Sequence, residues 1–354
     1  MRRKTRSCCS PSCRPPAGRR GSLSLLLAGL LLLSGCGGKE EGLRIGTALY
    51  TKDDTFISTV AQNLEGMVRE AESETGRQIT LFLSDSESRQ STQMDQVDRF
   101  LNRGCDVLCI NLVDRTAAAV IVDKAEAEGV PLIFFNRQPV AEDIQRWDGV
   151  YYVGADARES GELQGGLVLD AWRADRETLD RNGDGVLQYV MLEGEPGHQD
   201  SLLRTEYAVK AVTDGGVEVE KLASETANWN RAQAAARTAQ WLEEFGDGIE
   251  VIFANNDDMA LGAIDALADT PRDRWPLIVG VDATAPALEA VAVGQLYGTV
   301  LNDSRGQARA MMDLALALWN GEDPARAVEL TDGHYVWLPY RPVTLENLEE
   351  FLEA

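Results

Sequence analysis

The sequence predicts an α/β protein of two doubly wound lobes, and three observations carry that expectation. From residue 43 onward short apolar runs alternate with segments of 3.6-residue period, the pattern of βαβ units and a parallel sheet. The alternation comes in two series that meet near residue 154. The 354 residues exceed one ordinary domain and fit two of about 150 each.

The first series reads as strands at 43–49, 79–83, 106–112, 131–135 and 150–153. Between them Ile57, Val60, Leu64, Met67, Val68 and Ala71 give one helix an apolar face, and Met94, Val97, Phe100 and Leu101 give the next. The second series reads as strands at 187–192, 217–222, 249–254, 276–281 and 297–301. No Pro- or Ser-rich tether divides the two, so the boundary near 154 is expected to be a hinge crossing.

Apolar residues make up 44% and aromatic residues 6%, enough for a sizeable core and against intrinsic disorder. The formal net charge is −23. Seven of the 34 basic residues (Arg2, Arg3, Lys4, Arg6, Arg14, Arg19, Arg20) and no acidic one fall in the first 35, so removing that stretch leaves 27 − 57 = −30. Such an acidic excess repels phosphate and excludes a nucleic-acid partner. The basic stretch precedes Leu23–Leu33, an apolar run of signal-peptide length, too short to span a bilayer. It ends in Leu33-Ser34-Gly35-Cys36, which resembles the lipobox of bacterial lipoproteins. Residues 1–35 are therefore expected to be removed and Cys36 lipidated, with 36–42 as a tether and an extracytoplasmic, membrane-anchored location. Cys8, Cys9 and Cys13 leave with the signal; Cys105 and Cys109, roughly 13 Å apart if in one strand, are expected to be free core thiols. No later stretch is apolar for long enough to span a membrane.

Open parallel sheets bind ligands beyond the carboxyl ends of their strands. Here those positions are polar: Asp53 and Asp54, Asn136, then His198, Asp200 and Arg204, Asn255, Asn256 and Asp257, Asp282, and Asn302 and Asp303. Each alone reads equally as a helix N-cap. Together, on two lobes, they supply carboxylates, amides and a guanidinium as bidentate partners for vicinal hydroxyls, while Phe56 and Trp229 can cover the apolar face of a pyranose.

Landmarks run in order through the chain: Tyr50-Thr51-Lys52-Asp53-Asp54-Thr55-Phe56, Ile110-Asn111-Leu112-Val113-Asp114, Phe134-Phe135-Asn136, Tyr151-Tyr152-Val153-Gly154, Gly194-Glu195-Pro196-Gly197-His198, Ala254-Asn255-Asn256-Asp257, Gly280-Val281-Asp282-Ala283 and Val300-Leu301-Asn302-Asp303. In these the chain, from about Leu43 to Ala354, resembles the periplasmic galactose/glucose-binding proteins of sugar ABC transporters. The resemblance implies the type I periplasmic binding protein fold, two Rossmann-like lobes joined by three hinge strands: 43–153 plus 303–337, and 154–302 plus 338–354. It implies a bound hexose, with Asp54 at the 4-hydroxyl, His198 at the 6-hydroxyl, and Asn136, Asp200 and Arg204 around the anomeric and 2-hydroxyls. Asn256 and Asp282 would hold the 3-hydroxyl region, Asn302 would complete the polar ring, and Phe56 and Trp229 would sandwich the sugar. An ABC permease is the implied partner, a monomer the implied state, and a chemoreceptor or sensor kinase an alternative reader. Gln199, where the family has proline, and Asn228 and Asn230 beside Trp229 depart from its pattern.

Asp180-Arg181-Asn182-Gly183-Asp184-Gly185-Val186-Leu187-Gln188 matches the first nine positions of an EF-hand loop, with oxygen donors at 1, 3, 5 and 9, a backbone carbonyl at 7 and glycine at 6. Taken alone the spacing also describes an Asx-rich turn. Met191 stands where the bidentate glutamate belongs; the resemblance implies that Glu250 replaces it, giving a structural Ca²⁺ held by Asp180, Asn182, Asp184, Val186, Gln188 and Glu250.

A glycoside hydrolase using Asp54, Asp200 and Asp282 is the rival from another class. Arg204 is expected to keep Asp200 ionised, which disfavours a general acid there. There is no Gly-x-Ser-x-Gly elbow, and Gly161–Gly166 lacks a Walker lysine. No catalytic residue is assigned; His334 is read as structural, in a strand. Repressors of this fold carry a DNA-binding helix-turn-helix where this chain has a signal, which excludes that use.

Overall fold

The computed structural model describes residues 42–352; the signal and Cys36 lie outside them. Twelve strands form two six-stranded sheets. The first sheet contains β1 (Leu43–Leu49), β2 (Ile79–Asp85), β3 (Val107–Ile110), β4 (Leu132–Phe135), β5 (Val150–Gly154) and β11 (Tyr335–Trp337). The second contains β6 (Val186–Glu193), β7 (Glu218–Thr226), β8 (Val251–Ala254), β9 (Leu277–Val279), β10 (Gly298–Leu301) and β12 (Arg341–Thr344). Their orders are β11-β5-β4-β3-β1-β2 and β12-β10-β9-β8-β6-β7, all parallel except the β10/β12 pair.

Central strands such as Leu132-Ile133-Phe134-Phe135 and Val251-Ile252-Phe253-Ala254 are buried along their whole length because helices cover both faces of each sheet. The edge strand β7 instead exposes Glu218, Glu220 and Lys221, charges that discourage edge-to-edge pairing. Each sheet has an apolar cluster on either face, so there are four. The expected face of helix Thr55–Thr75 is buried in full, and that of Gln90–Asn102 packs Val97 and Phe100 inside with Met94 and Leu101 half-buried.

The chain passes between the sheets three times: after β5, after β10 and between β11 and β12. Helix Ala157–Ala174 follows β5 but packs on the second sheet, and helix Ser304–Asn320 follows β10 but packs on the first. β11 and β12 are short, three and four residues, and only partly buried. His334 stands in a turn just before β11 and not in a strand: Asp332 and Gly333 take positive φ, and the imidazole Nδ1 lies 2.7 Å from the carbonyl of Val150. Cys105 and Cys109 are both free and buried.

Candidate functional site

Between the two sheets' carboxyl ends lies a narrow cavity of about 30 Å³, lined by Tyr50, Asp54, Phe56, Asn136, Arg137, His198, Asp200, Arg204, Trp229, Asn256 and Asp282. The first five belong to the loops after β1 and β4 and to the first turn of helix Thr55–Thr75, and the other six to the second lobe.

Asp54 is the N-cap of helix Thr55–Thr75: its Oδ1 accepts from the Ile57 amide at 2.9 Å. Its Oδ2 accepts from the Tyr50 hydroxyl at 2.6 Å, which fixes the rotation of the carboxylate. Capping and lining are thus one arrangement, because the helix start that needs an acceptor is also the mouth of the cleft. Asn136 sits at φ 58°, a left-handed conformation that asparagine tolerates better than most residues, and its Oδ1 accepts from Asn111 at 3.3 Å. Arg137 stacks over the Tyr50 ring at 3.5 Å and crosses to Glu195 of the other lobe at 2.7 Å. Thr55 likewise donates across to Asp258 at 2.7 Å, and Gln199 to Gln138 at 3.2 Å, so the lobes are closed on each other.

In the second lobe Arg204 is the organising cation. Its guanidinium donates to the Asn255 carbonyl (2.9 Å), the Ser160 and Tyr340 hydroxyls (3.2 and 3.1 Å) and Asp200 Oδ2 (3.3 Å), and lies 3.8 Å from Asp282 Oδ1. His198 caps helix Gln199–Asp214 through Nδ1, and its ring meets Trp229 edge-on at 5.2 Å. The indole fits only because residue 194 is glycine: a Cβ there would come within 2.1 Å of the Trp229 ring. Asn256 caps helix Asp257–Ala266 through Oδ1 and offers its amide towards the Trp229 carbonyl at 3.5 Å. Asn136, Trp229 and Asp282 are three of the eight described non-glycine residues with positive φ, so backbone strain concentrates at this cavity.

Burial dominates the electrostatics. It raises the Asp282 carboxyl well above its ordinary range, and Asp257 and Asp54 push the same way against Arg204. It also raises Asp200, where Arg204 and Arg137 pull down but do not prevail. Arg204 favours the ionised form of Asp200 from 3.3 Å, as expected, while loss of water acts against it. His198 is held well below its ordinary value by burial, then by Arg137, Arg204 and Arg115, so it is neutral at neutral pH. Its 3.8 Å approach to Asp200 is therefore not an ion pair.

Nine of the ten residues expected to meet a ligand line this cavity. Asn302 does not. It lies behind Asp282, donating to its Oδ1 at 3.3 Å and accepting from Gln307 at 2.8 Å, and so braces a lining carboxylate. Tyr50 and Arg137 line the cavity without having been expected. Both adjoin an expected feature, Tyr50 ending the first apolar run and Arg137 following Asn136, and position after a strand was their signal.

The loop 180–188 turns through Gly183 and Gly185, both at positive φ. Asp184 Oδ2 accepts from the amides of Asn182 (2.9 Å) and Gln188 (3.0 Å), and Glu250 accepts from the backbone amides of Arg181 (2.7 Å) and Gln188 (2.9 Å). The oxygen donors are thus drawn together around one turn. Among the described residues no three His, Cys, Asp or Glu side chains form a ready-made metal cluster; two amides and a carbonyl make up the rest of this set. Asp180 Oδ1 is buried with no hydrogen-bond partner, an uncompensated acceptor that fits a missing cation. Burial, then nearby Asp180 and Asp184, push the Glu250 carboxyl up, against the two backbone amides.

Comparison with known proteins agrees with this architecture. Residues 45–323 match the periplasmic binding protein domain family. The chain is 41% identical to the D-galactose/methyl-galactoside binding periplasmic protein of Haemophilus influenzae, over 88% of this chain and 92% of that one. It is 29% identical to a xylitol-binding protein of Mycolicibacterium smegmatis, over 91% and 84%. Among solved structures, an ABC transporter solute binding protein of Bacillus halodurans with bound myo-inositol superposes with a TM-score of 0.72 at 29% identity, over 87% of this chain and 96% of that one.

Proposed function

The chain belongs to the periplasmic binding protein family, and on that premise we propose that it captures one hexose, galactose or glucose, between its lobes and delivers it to an ABC permease. One observation carries the reading: three carboxylates, two amides, a neutral histidine and two guanidiniums converge from both lobes on a cavity with Phe56 on one lobe and Trp229 on the other. Polyhydroxylated rings need that mixture of acceptors, donors and apolar faces. The 41% identical Haemophilus influenzae protein, by its name a galactose binder, points the same way. Interlobe bonds such as Arg137–Glu195 and Thr55–Asp258 exist only in a closed arrangement. A ligand touching both lobes binds closed better than open and shifts the population towards closure, the shape a permease can read.

A structural calcium ion would be held by Asp180, Asn182, Asp184, the Val186 carbonyl, Gln188 and Glu250. It would supply positive charge to three carboxylates and take no part in binding sugar. Cys36 would carry the lipid that tethers the protein outside the cytoplasm; mass spectrometry of the membrane-extracted protein would read the acyl chains directly.

Titration calorimetry against a panel of hexoses and pentoses tests the central reading. Galactose or glucose should bind with one site per chain and more tightly than any pentose. Pentose preference would reassign the sugar, and sustained product release from aryl galactosides would move the protein to the hydrolases.

A further inference from the structure

A second cavity opens at the mouth of the cleft. Its volume is about 680 Å³, against 30 Å³ for the inner one, and it shares Arg137 and His198 with it as a common wall. Ser88, Gln90, Asp114, Arg115, Gln138, Glu195 and Gln199 line it from both lobes. Two of its donors are unanswered: Gln90 Nε2 and Arg115 Nε are buried with no hydrogen-bond partner. The Gln90 oxygen is already used by the Asp114 amide at 3.0 Å, so the side chain is fixed with its NH₂ unpaired. Arg115 forms no ion pair among the described residues. Buried donors left unmade are costly, and the guanidinium of Arg115, a lining residue, has no carboxylate to answer it.

We propose that this outer cavity is a glycosyl subsite: a hexose in the inner cavity can carry a second, neutral sugar ring that passes Arg137 and His198 and is held by Gln90 and Arg115. The inference rests on the hexose reading of the inner cavity. The space suits a ring, and the lining mixes donors with acceptors as a polyol requires. The wall is balanced, Asp114 and Glu195 against Arg115 and Arg137, so a neutral substituent meets no net charge there, while the −23 of the whole chain repels an anionic one. The Arg137–Glu195 pair, at 2.7 Å with its glutamate 40% exposed, stands between the two cavities.

The test is calorimetry of the full protein with glucose, galactose and the four glucose disaccharides linked through O2, O3, O4 and O6 (kojibiose, nigerose, maltose and isomaltose). At least one isomer should bind, and Arg115→Ala and Gln90→Ala should each weaken it by about tenfold, the size of one charge-assisted or buried hydrogen bond, while free-hexose affinity stays put. Hexose binding with every disaccharide refused would overturn the subsite alone. So would a disaccharide affinity that neither substitution changes. Loss of every sugar, free hexose included, would instead overturn the hexose reading and this inference with it.

Discussion

In the cleft, Asp200 and Asp282 lean on a single buried guanidinium, Arg204, at 3.3 and 3.8 Å; in the loop 180–188, Asp180, Asp184 and Glu250 have between them only a half-exposed Arg176, 3.1 Å from Asp180. Both clusters lie in one lobe, and all but Asp184 of their carboxylates are buried. The first carries its counter-charge in the sequence, and the second leaves a buried Asp180 oxygen with no partner at all. An internal cation balances the first cluster within the fold; under the calcium reading proposed above, the second would be balanced by an ion from outside.

Removing the internal cation should therefore have the largest effect. Arg204→Met should cost about 3 kcal/mol of unfolding free energy at pH 8, read by urea denaturation, because two buried carboxyls lose their partner. The cost should shrink at pH 5, since burial already raises both carboxyls and protonation relieves the unpaired charge. Equal stability at pH 8 would erase the distinction between the two clusters.

Next in size are the groups that would touch the sugar. Asp282→Ala and Trp229→Ala should each weaken hexose binding by about 100-fold, one by removing a charged acceptor and the other by removing a stacking face. Unchanged affinity in both, by calorimetry, would reject the site. Asn302→Ala should do less, about fivefold, because it acts through Asp282.

The loop should respond to what is added and not to what is cut. With calcium at about 100 times its dissociation constant the gain is about 2.7 kcal/mol, so chelation should lower the melting temperature by about 5 °C. Asp180→Asn removes the charge on the unanswered oxygen. It should blunt the calcium response, whereas Arg204→Met should leave that response intact. Identical melting curves with and without chelator, in protein first shown to hold the metal, would return the loop to an ordinary turn.

Much of the fold was legible because parallel strands covered on both faces are written as unbroken apolar runs, such as Leu132–Phe135 and Val251–Ala254. β11 and β12 were not enumerated as strands, since Tyr335–Trp337 and Arg341–Thr344 are short and only partly buried and so form no unbroken apolar run. Site residues were legible by place, just beyond those runs, which is why nine converge. What position cannot say is which of two polar neighbours faces inward. Asn302 follows β10 as Asn136 follows β4, yet a bond to Gln307 turns it into the brace for Asp282. Arg137 and Tyr50 carried no site expectation, yet both line the cavity and stack at 3.5 Å. The balance at Asp200 was half legible for a related reason: a helical i,i+4 partner is visible in sequence, and the depth of burial that opposes it is not.

The smallest effect expected is on pH, and it separates the clusters by charge state. Sugar hydroxyls donate to ionised carboxylates, so protons on Asp200 and Asp282 compete with the ligand. Burial raises both groups in the free protein, so below their raised values binding must expel protons. Affinity should therefore climb as pH rises, by about fivefold from pH 5 to pH 8, and His198, already neutral, adds no opposing change. Calorimetry in buffers of different ionisation enthalpy should register proton release at pH 5 and little at pH 8. A flat profile with no proton release would mean that the two carboxylates do not receive the hydroxyls, and Arg204 would then be balancing charges the ligand never meets.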